Sequence, residues 1–302
     1  MSTKMKTMFV VNPISGTRDK EDIVAAIPQY LDSSVWDVRV KFTRYAGHAT
    51  ELTRRAVRMG YDLVVAVGGD GTVNEVARSL VDTRTALGII PCGSGNGLAR
   101  HLAIPLDYHR ALATIERCRI EAMDYGRICD HPFFCTCGIG FDAEVSHAFA
   151  NAGSRGLVTY LKTTILKGVR YKGEEYEYEL NDSGTRHHVK AWLIACGNAA
   201  QYGNDTYIAP HASMQDGLLD VNVMTPFPLF ESPLVGIQLL TKSIDKNLHV
   251  NIHRCKSITI YRQSEGVIHY DGDAIMAPAT VRVEIIPRGI SMVVGERGKQ
   301  PI

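Results

Sequence analysis

Leu63-Val64-Val65-Ala66-Val67 runs straight into Gly68-Gly69-Asp70-Gly71-Thr72, and Val73, Asn74 and Glu75 follow. An apolar run closed by a glycine-rich turn reads as a strand buried on both faces. Glycines allow a backbone to approach a phosphate closely, and a helix starting behind them aims its unpaired N–H groups at that anion. Asp70 then has two candidate tasks, serving a metal or the reacting hydroxyl, while Thr72 can donate to a phosphate oxygen. The plainer alternative is a βα turn that binds nothing.

Working outward, strand-like runs at 8–11, 38–42, 63–67 and 87–91 alternate with helix-period stretches at 19–31, 46–60 and 73–80. Such alternation predicts a parallel sheet covered on both faces, with the ligand crevice beyond the C-terminal ends of its strands. The loop after the first strand, Asn12-Pro13-Ile14-Ser15-Gly16-Thr17-Arg18, joins a polar turn to a cation. The loop after the fourth, Pro91-Cys92-Gly93-Ser94-Gly95-Asn96-Gly97, again follows a strand and opens a helix. It is not the dinucleotide G-x-G-x-x-G string, and no G-x-x-x-x-G-K-[ST] occurs, so a nucleotide phosphate is not held by a P-loop.

From about residue 122 short strands dominate, at 133–137, 176–180, 189–196, 219–224, 257–261 and 281–286, interrupted by helical stretches at 157–169 and 229–240. The expected domains are 1–122, an α/β nucleotide-binding domain, and 123–302, a β-sandwich-like lipid-binding domain whose C-terminal end can return to the first. A net charge of +1 gives no long-range pull towards nucleic acid. Seven cysteines without a C-x-x-C pair predict reduced thiols and a cytoplasmic protein. No apolar run reaches the roughly 18 residues of a membrane span, so a lipid would be met at the bilayer surface. The 157–172 stretch, with apolar residues at helical spacing and several cations, suits either that surface or the protein's own core.

Together, Asn12-Pro-Ile-Ser-Gly16, Thr43 with Gly47-His48-Ala49, the Gly68–Thr72 turn with Asn74-Glu75, and the Gly-Ser-Gly-Asn-Gly loop resemble the diacylglycerol kinase catalytic family, which includes sphingosine and ceramide kinases. The resemblance implies a two-domain fold shared with NAD kinases and ATP bound between the domains. It places Asn12, Ser15, Gly16, Thr43, Val67, Gly68, Gly69, Asp70, Gly71, Thr72, Val73, Glu75 and Ser94 around the nucleotide. Gly97 stands where bacterial diacylglycerol kinases typically carry Asp, so the loop is closer to the sphingosine kinase G-S-G-N-A, and activity on a sphingoid or other long-chain amino alcohol is expected.

Further segments carry the resemblance into the second half. Gly138-Ile-Gly-Phe-Asp142 resembles the segment lining a lipid-head pocket, which makes Asp142 a substrate contact, although it can equally cap the following helix. Asp216-Gly217-Leu218 resembles a structural magnesium loop, with Asp216 and the backbone carbonyls near Ser213 and Leu218 as ligands; it is also a common turn. Tyr270-Asp271-Gly272-Asp273 resembles the family's D-G-E segment and is a hairpin signal in its own right. Asp271 is thus the expected general base, Asp273 shares or supports that role, and Asp70 competes for it. The expected activity is a Mg2+- and ATP-dependent lipid kinase making peripheral membrane contact. The rival readings are an NAD kinase and a non-catalytic sensor. The sequence leaves monomer and homo-oligomer open.

Overall fold

The computed structural model describes residues 4–16, 19–150 and 171–296. The chain divides into two compact units, residues 1–123 with 288–302, and residues 124–287.

In the first unit, strands β1 (Met5–Val11), β2 (Trp36–Phe42), β3 (Leu63–Gly68) and β4 (Ala86–Pro91) pair in parallel in the order β2-β1-β3-β4. Between them run helices α1 (Lys20–Tyr30), α2 (His48–Arg58) and α3 (Asp70–Ala77), followed by the short α4 (Gly97–His101) and α5 (Tyr108–Arg117). Every residue of β3 and β4 is buried, which is why both read as unbroken apolar runs rather than as alternation. Asp19 and Asp107 start α1 and α5 by accepting the N–H groups of Glu21 and Arg110.

One helix differs from its sequence-based expectation. Periodicity predicts 73–80, whereas α3 begins at Asp70 with Gly69 as its extended N-cap. Apolar periodicity cannot register a first turn made of Asp, Gly and Thr, whose N–H groups have no intrahelical partner in any case.

The second unit contains antiparallel strands from β5 (Ile120–Ile128, which begins in the first unit) through β6 (His131–Phe133), β7 (Thr136–Gly140), β8 (Glu174–Leu180), β9 (Arg186–Ala191), β10 (Leu193–Gly197), β11 (Gln201–Gly203), β12 (Thr206–Tyr207), β13 (Leu219–Met224), β14 (Val250–Cys255), β15 (Ser257–Tyr261), β16 (Gly266–Tyr270) and β17 (Asp273–Ala277) to β18 (Thr280–Val293). One sheet runs β14-β13-β10-β7-β16-β17, and β18, β15, β8 and β9 pair in a second. Ile139, Val221 and Ile268 from the former pack with Tyr176, Ile258 and Val283 from the latter, forming a sandwich core. Helix α6 (Phe141–Ala150) follows β7, and α7 (Ser232–Leu240) follows a 3-10 turn at Leu229–Glu231.

The predicted single strand at 189–196 is two, broken at Trp192, whose N–H leaves the β9 pairing for the Met224 carbonyl. The predicted helix at 157–169 lies outside the described residues. The last part of β18 belongs to the first unit, where Met292 pairs with Leu87 of β4. Among the described residues no helix is long and apolar enough to cross a membrane.

Candidate functional site

Three loops that follow parallel strands meet in the first unit. Asn12 holds the first in place: its N–H donates to the Val67 carbonyl at 2.9 Å, its Oδ1 accepts from the Ile14 N–H at 3.2 Å, and its Nδ2 donates to Thr72 Oγ1 at 2.9 Å. Ser15 Oγ donates back to the Asn12 carbonyl at 3.0 Å. Gly16 has φ +62°, and a Cβ there would sit 1.9 Å from the Cys92 carbonyl oxygen of the third loop. Gly16→Ala should therefore part the two loops. With left-handed strain alone at about 1–2 kcal/mol, ATP binding is expected to weaken by about tenfold or more, read by titration calorimetry. Thr17 and Arg18 lie outside the described residues.

The third loop is closed by Asn96, which adopts φ 51°, ψ 43°; its Oδ1 accepts from the Gly93 N–H at 2.9 Å and its Nδ2 donates to the Gly93 carbonyl at 2.7 Å. Asp70 locks this loop onto the second one. Its Oδ2 accepts from the Asn96 N–H at 2.9 Å and its Oδ1 from the Gly97 N–H at 2.8 Å. The approach is tight enough that a Cβ on Gly95 would lie 2.7 Å from Asp70 Oδ2. Asp70 is thus the half-buried first residue of a helix and not a member of an open loop. Thr72 is buried beside it, while Gly71 and Ser94 face solvent.

Thr43 and Glu75 sit at the edge of this arrangement. The Thr43 N–H extends the sheet by donating to the Val11 carbonyl at 2.8 Å. Glu75 Oε1 and Oε2 accept from the Gly47 and Ala49 N–H groups at 3.0 and 3.1 Å. No side chain of α2's own N-cap residue does this, so Glu75 caps α2 from the neighbouring helix. The result is a cradle walled by backbone amides at the N-terminal end of the eight-residue α3.

In the second unit Asp271 and Gly272, with φ +50° and +88°, make the turn between β16 and β17. The Asp271 carboxylate accepts the N–H groups of Phe134, Cys135 and Thr136, at 2.8 Å on Oδ2 and at 2.7 and 3.1 Å on Oδ1. Asp273 is exposed and pairs with Tyr270 in the ladder. The hairpin therefore fixes Asp271 against the entry to β7 while Asp273 faces outward.

Asp142 is buried near the start of α6. Its Oδ1 accepts from the Ala143 N–H at 2.9 Å, and its Oδ2 contacts His269 Nε2 at 2.9 Å and accepts from Tyr202 Oη at 3.1 Å. Neither His269 nor Tyr202 is legible as a partner from sequence, since each contact spans dozens of residues. Removing the carboxylate takes the acceptor from Nε2 of His269, which is 2% exposed. Asp142→Ala should thus cost about 1–3 kcal/mol of unfolding free energy in a urea titration.

Within residues 213–218 the side chains of Ser213 and Asp216 pair with protein groups. Asp216 Oδ1 accepts from the Leu218 N–H at 3.0 Å and its Oδ2 pairs with Arg254 Nη2, whose Nε also donates to Asp220 at 2.9 Å. One guanidinium thus bridges both carboxylates, and Ser213 Oγ accepts the Gln215 N–H at 3.3 Å. Burial pushes the Asp220 carboxyl up, with Arg254 opposing the shift. Asp124, 1% exposed, accepts the Gly217 N–H at 2.8 Å. No group of three or more His, Cys, Asp or Glu suited to a metal occurs among the described residues. All seven cysteines are free thiols; burial pushes Cys137 well up and Cys255 up to about 12, which makes both poor nucleophiles.

An amide-walled cradle on a parallel sheet, joined to an antiparallel sandwich, defines the two-domain architecture of diacylglycerol kinase-like proteins. Residues 6–128 match the diacylglycerol kinase catalytic domain, and residues 135–294 match the YegS C-terminal NAD kinase beta sandwich-like domain. A Pseudomonas putida protein named probable lipid kinase YegS-like is 31% identical over 68% of this chain and 69% of its own. The diacylglycerol kinase of Bacillus subtilis is 25% identical over 89% of each. A solved diacylglycerol kinase of Bacillus anthracis superposes with a TM-score of 0.75 at 21% identity, covering 98% of both chains, and so shares the fold. The chain belongs to the diacylglycerol kinase family of lipid kinases.

Proposed function

We propose that this protein transfers the γ-phosphoryl group of ATP to a hydroxyl group of a membrane lipid, with a diacylglycerol-like acceptor preferred over a sphingoid base. The observation that carries the reading is the joining of Asn12, Thr72, Asp70 and the 93–97 loop in one amide-walled cradle, within a chain of lipid kinase ancestry. Phosphoryl transfer asks little covalent chemistry of a protein. It asks for alignment and for neutralisation of phosphate charge.

Amides at the start of α3, with Asn12, Ser15, Gly16, Thr43, the segment 67–73 and Ser94, are the proposed surroundings of the nucleotide. Glu75 contributes by fixing the 47–49 turn. A magnesium ion accompanying ATP would spread the charge of the transferred phosphate. Asp70 fits it best, because each carboxylate oxygen takes one N–H donor and retains a second acceptor direction. The 213–218 loop fits poorly, since Arg254 already supplies its positive charge.

Asp271 is the proposed acceptor of the lipid hydroxyl proton. Three amides, two on Oδ1 and one on Oδ2, fix the carboxylate in place, as a positioned base requires. Asp142 bears on the head group: a sphingoid ammonium would have to displace His269 and Tyr202 to reach it. That favours a neutral acceptor, against the sphingoid activity the Gly97 loop suggests.

The deciding experiment offers labelled ATP with diacylglycerol, sphingosine, ceramide and NAD in parallel. Label is expected in phosphatidic acid, with sphingosine well behind. Label in NADP alone, or in no product, would overturn the reading; label mainly in sphingosine phosphate would overturn the head-group assignment.

A further inference from the structure

One surface of the second unit is apolar where a water-facing helix should be polar. In α7, Val235 is buried and Leu239 packs on a core that includes Leu193, Ile208 and Val250. The opposite side is apolar as well: Leu234, Ile237 and Leu240 are 50, 58 and 60% exposed, and Leu229 and Phe230 of the preceding turn are 60 and 81% exposed. Phe230, Leu234 and Ile237 stand at i, i+4 and i+7 and share one stripe. Leu248 is 98% exposed beside Asn247, whose Nδ2 donates to Gln238 of α7 at 2.6 Å. Scattered apolar side chains on a surface need no explanation, but a contiguous stripe does.

The rim supplies the charge. Lys242 and Lys246 are exposed just past the C-terminal end of α7, and Lys242 Nζ lies 4.5 Å over the Tyr207 ring. The nearby acids are engaged: Glu231 by His249 at 3.2 Å and Asp245 by His211 at 3.4 Å. Two lysines beside an apolar stripe complement an anionic lipid surface. A protein partner fits less well, because the stripe offers no side-chain hydrogen-bonding group, whereas protein interfaces carry about one hydrogen bond per 100–200 Å2.

We propose that the 229–240 face, with Leu248, is a monotopic docking surface that seats this protein on an anionic bilayer, Phe230, Leu234 and Ile237 entering the acyl boundary and Lys242 and Lys246 meeting headgroup phosphates. The choice of a bilayer as occupant rests on the lipid kinase reading. None of these residues belongs to the proposed catalytic machinery, so docking and chemistry are separable.

The test is sedimentation of the full chain with phosphatidylcholine vesicles, with and without about 30% phosphatidylglycerol as the anionic component. The wild type should bind the anionic vesicles more tightly, and the combined variant Phe230→Ser, Leu234→Ser, Ile237→Ser should bind at least about tenfold more weakly, since burying a single Leu-sized side chain is worth that factor. Its turnover of a short-chain diacylglycerol dissolved as monomers should be unchanged, which also shows that it folds. Lys242→Gln with Lys246→Gln should remove only the preference for anionic vesicles. In a separate variant, Phe230→Trp, emission should shift to the blue on vesicle binding. Unaltered sedimentation of the triple variant, or no shift for Phe230→Trp, would overturn the proposal. So would a change of oligomeric state in the triple variant with vesicle binding intact, which would assign the face to a second copy. If no lipid is phosphorylated but the triple variant still loses vesicle binding, the kinase reading falls and the docking surface stands.

Discussion

Asp70→Asn should remove nearly all phosphoryl transfer. Two effects add. An amide cannot accept on both of its heavy atoms, so either the Asn96 or the Gly97 N–H loses its acceptor and meets an NH2 group instead. That leaves a half-buried donor unmatched at a cost of about 1–3 kcal/mol and loosens the third loop. The variant also loses the negative charge proposed to hold the metal that accompanies ATP, and losing one such electrostatic contact costs about 10²–10³ in kcat. The two are separable by measuring turnover at saturating ATP together with the melting temperature. Lower temperature restores a merely destabilised enzyme and does not restore a missing charge. Near-wild-type turnover in the folded variant would remove Asp70 from the centre of the mechanism.

Asp271→Asn is the second large effect, with kcat expected to fall roughly 10²-fold or more while ATP affinity changes little. An alcohol proton is too tightly held to leave unaided at neutral pH, so a fixed carboxylate should accept it as the phosphoryl group arrives. Asp271 also clamps the Phe134, Cys135 and Thr136 amides, so a loss of rate alone does not distinguish a base from a clamp. The pH profile does: removing a base erases the acidic limb of the rate curve, whereas loosening a clamp lowers the whole curve and keeps its shape. The exposed Asp273 is the matched control, and Asp273→Asn should lose much less. A loss of ATP binding larger than the loss of turnover would move Asp271 into the nucleotide or metal site and make Asp70 the better base.

What could be read in the sequence, and what could not, follows from distance along the chain. The glycine turn after Val67 and the loop at 93–97 are local patterns, and their strand-then-helix context follows from hydrophobic periodicity. The role of Asn96 was within reach too, because Asn between two glycines is a residue that tolerates the left-handed conformation it adopts. The long-range partners lie 60 and 127 residues from Asp142, 38 from Asp216 and 135–137 from Asp271. No periodicity encodes such pairings. His269 sits in an apolar strand with nothing nearby to mark it, and Arg254 alternates in an edge strand like many solvated cations. The capping of α2 by Glu75 likewise depends on how two helices pack, which the sequence does not display.

The long strand β18 has a consequence in time. Its last residues, with Met292 paired to Leu87, belong to the unit otherwise made from residues 1–123. The strand neighbouring β4 is thus synthesised after the entire 124–287 unit. At the usual pace of translation the nascent parallel sheet waits about 10–30 s for it, with one side of β4 unpaired meanwhile. A fragment ending at residue 123 would remain in that waiting condition permanently, prone to associate through the bare strand rather than to bind ATP.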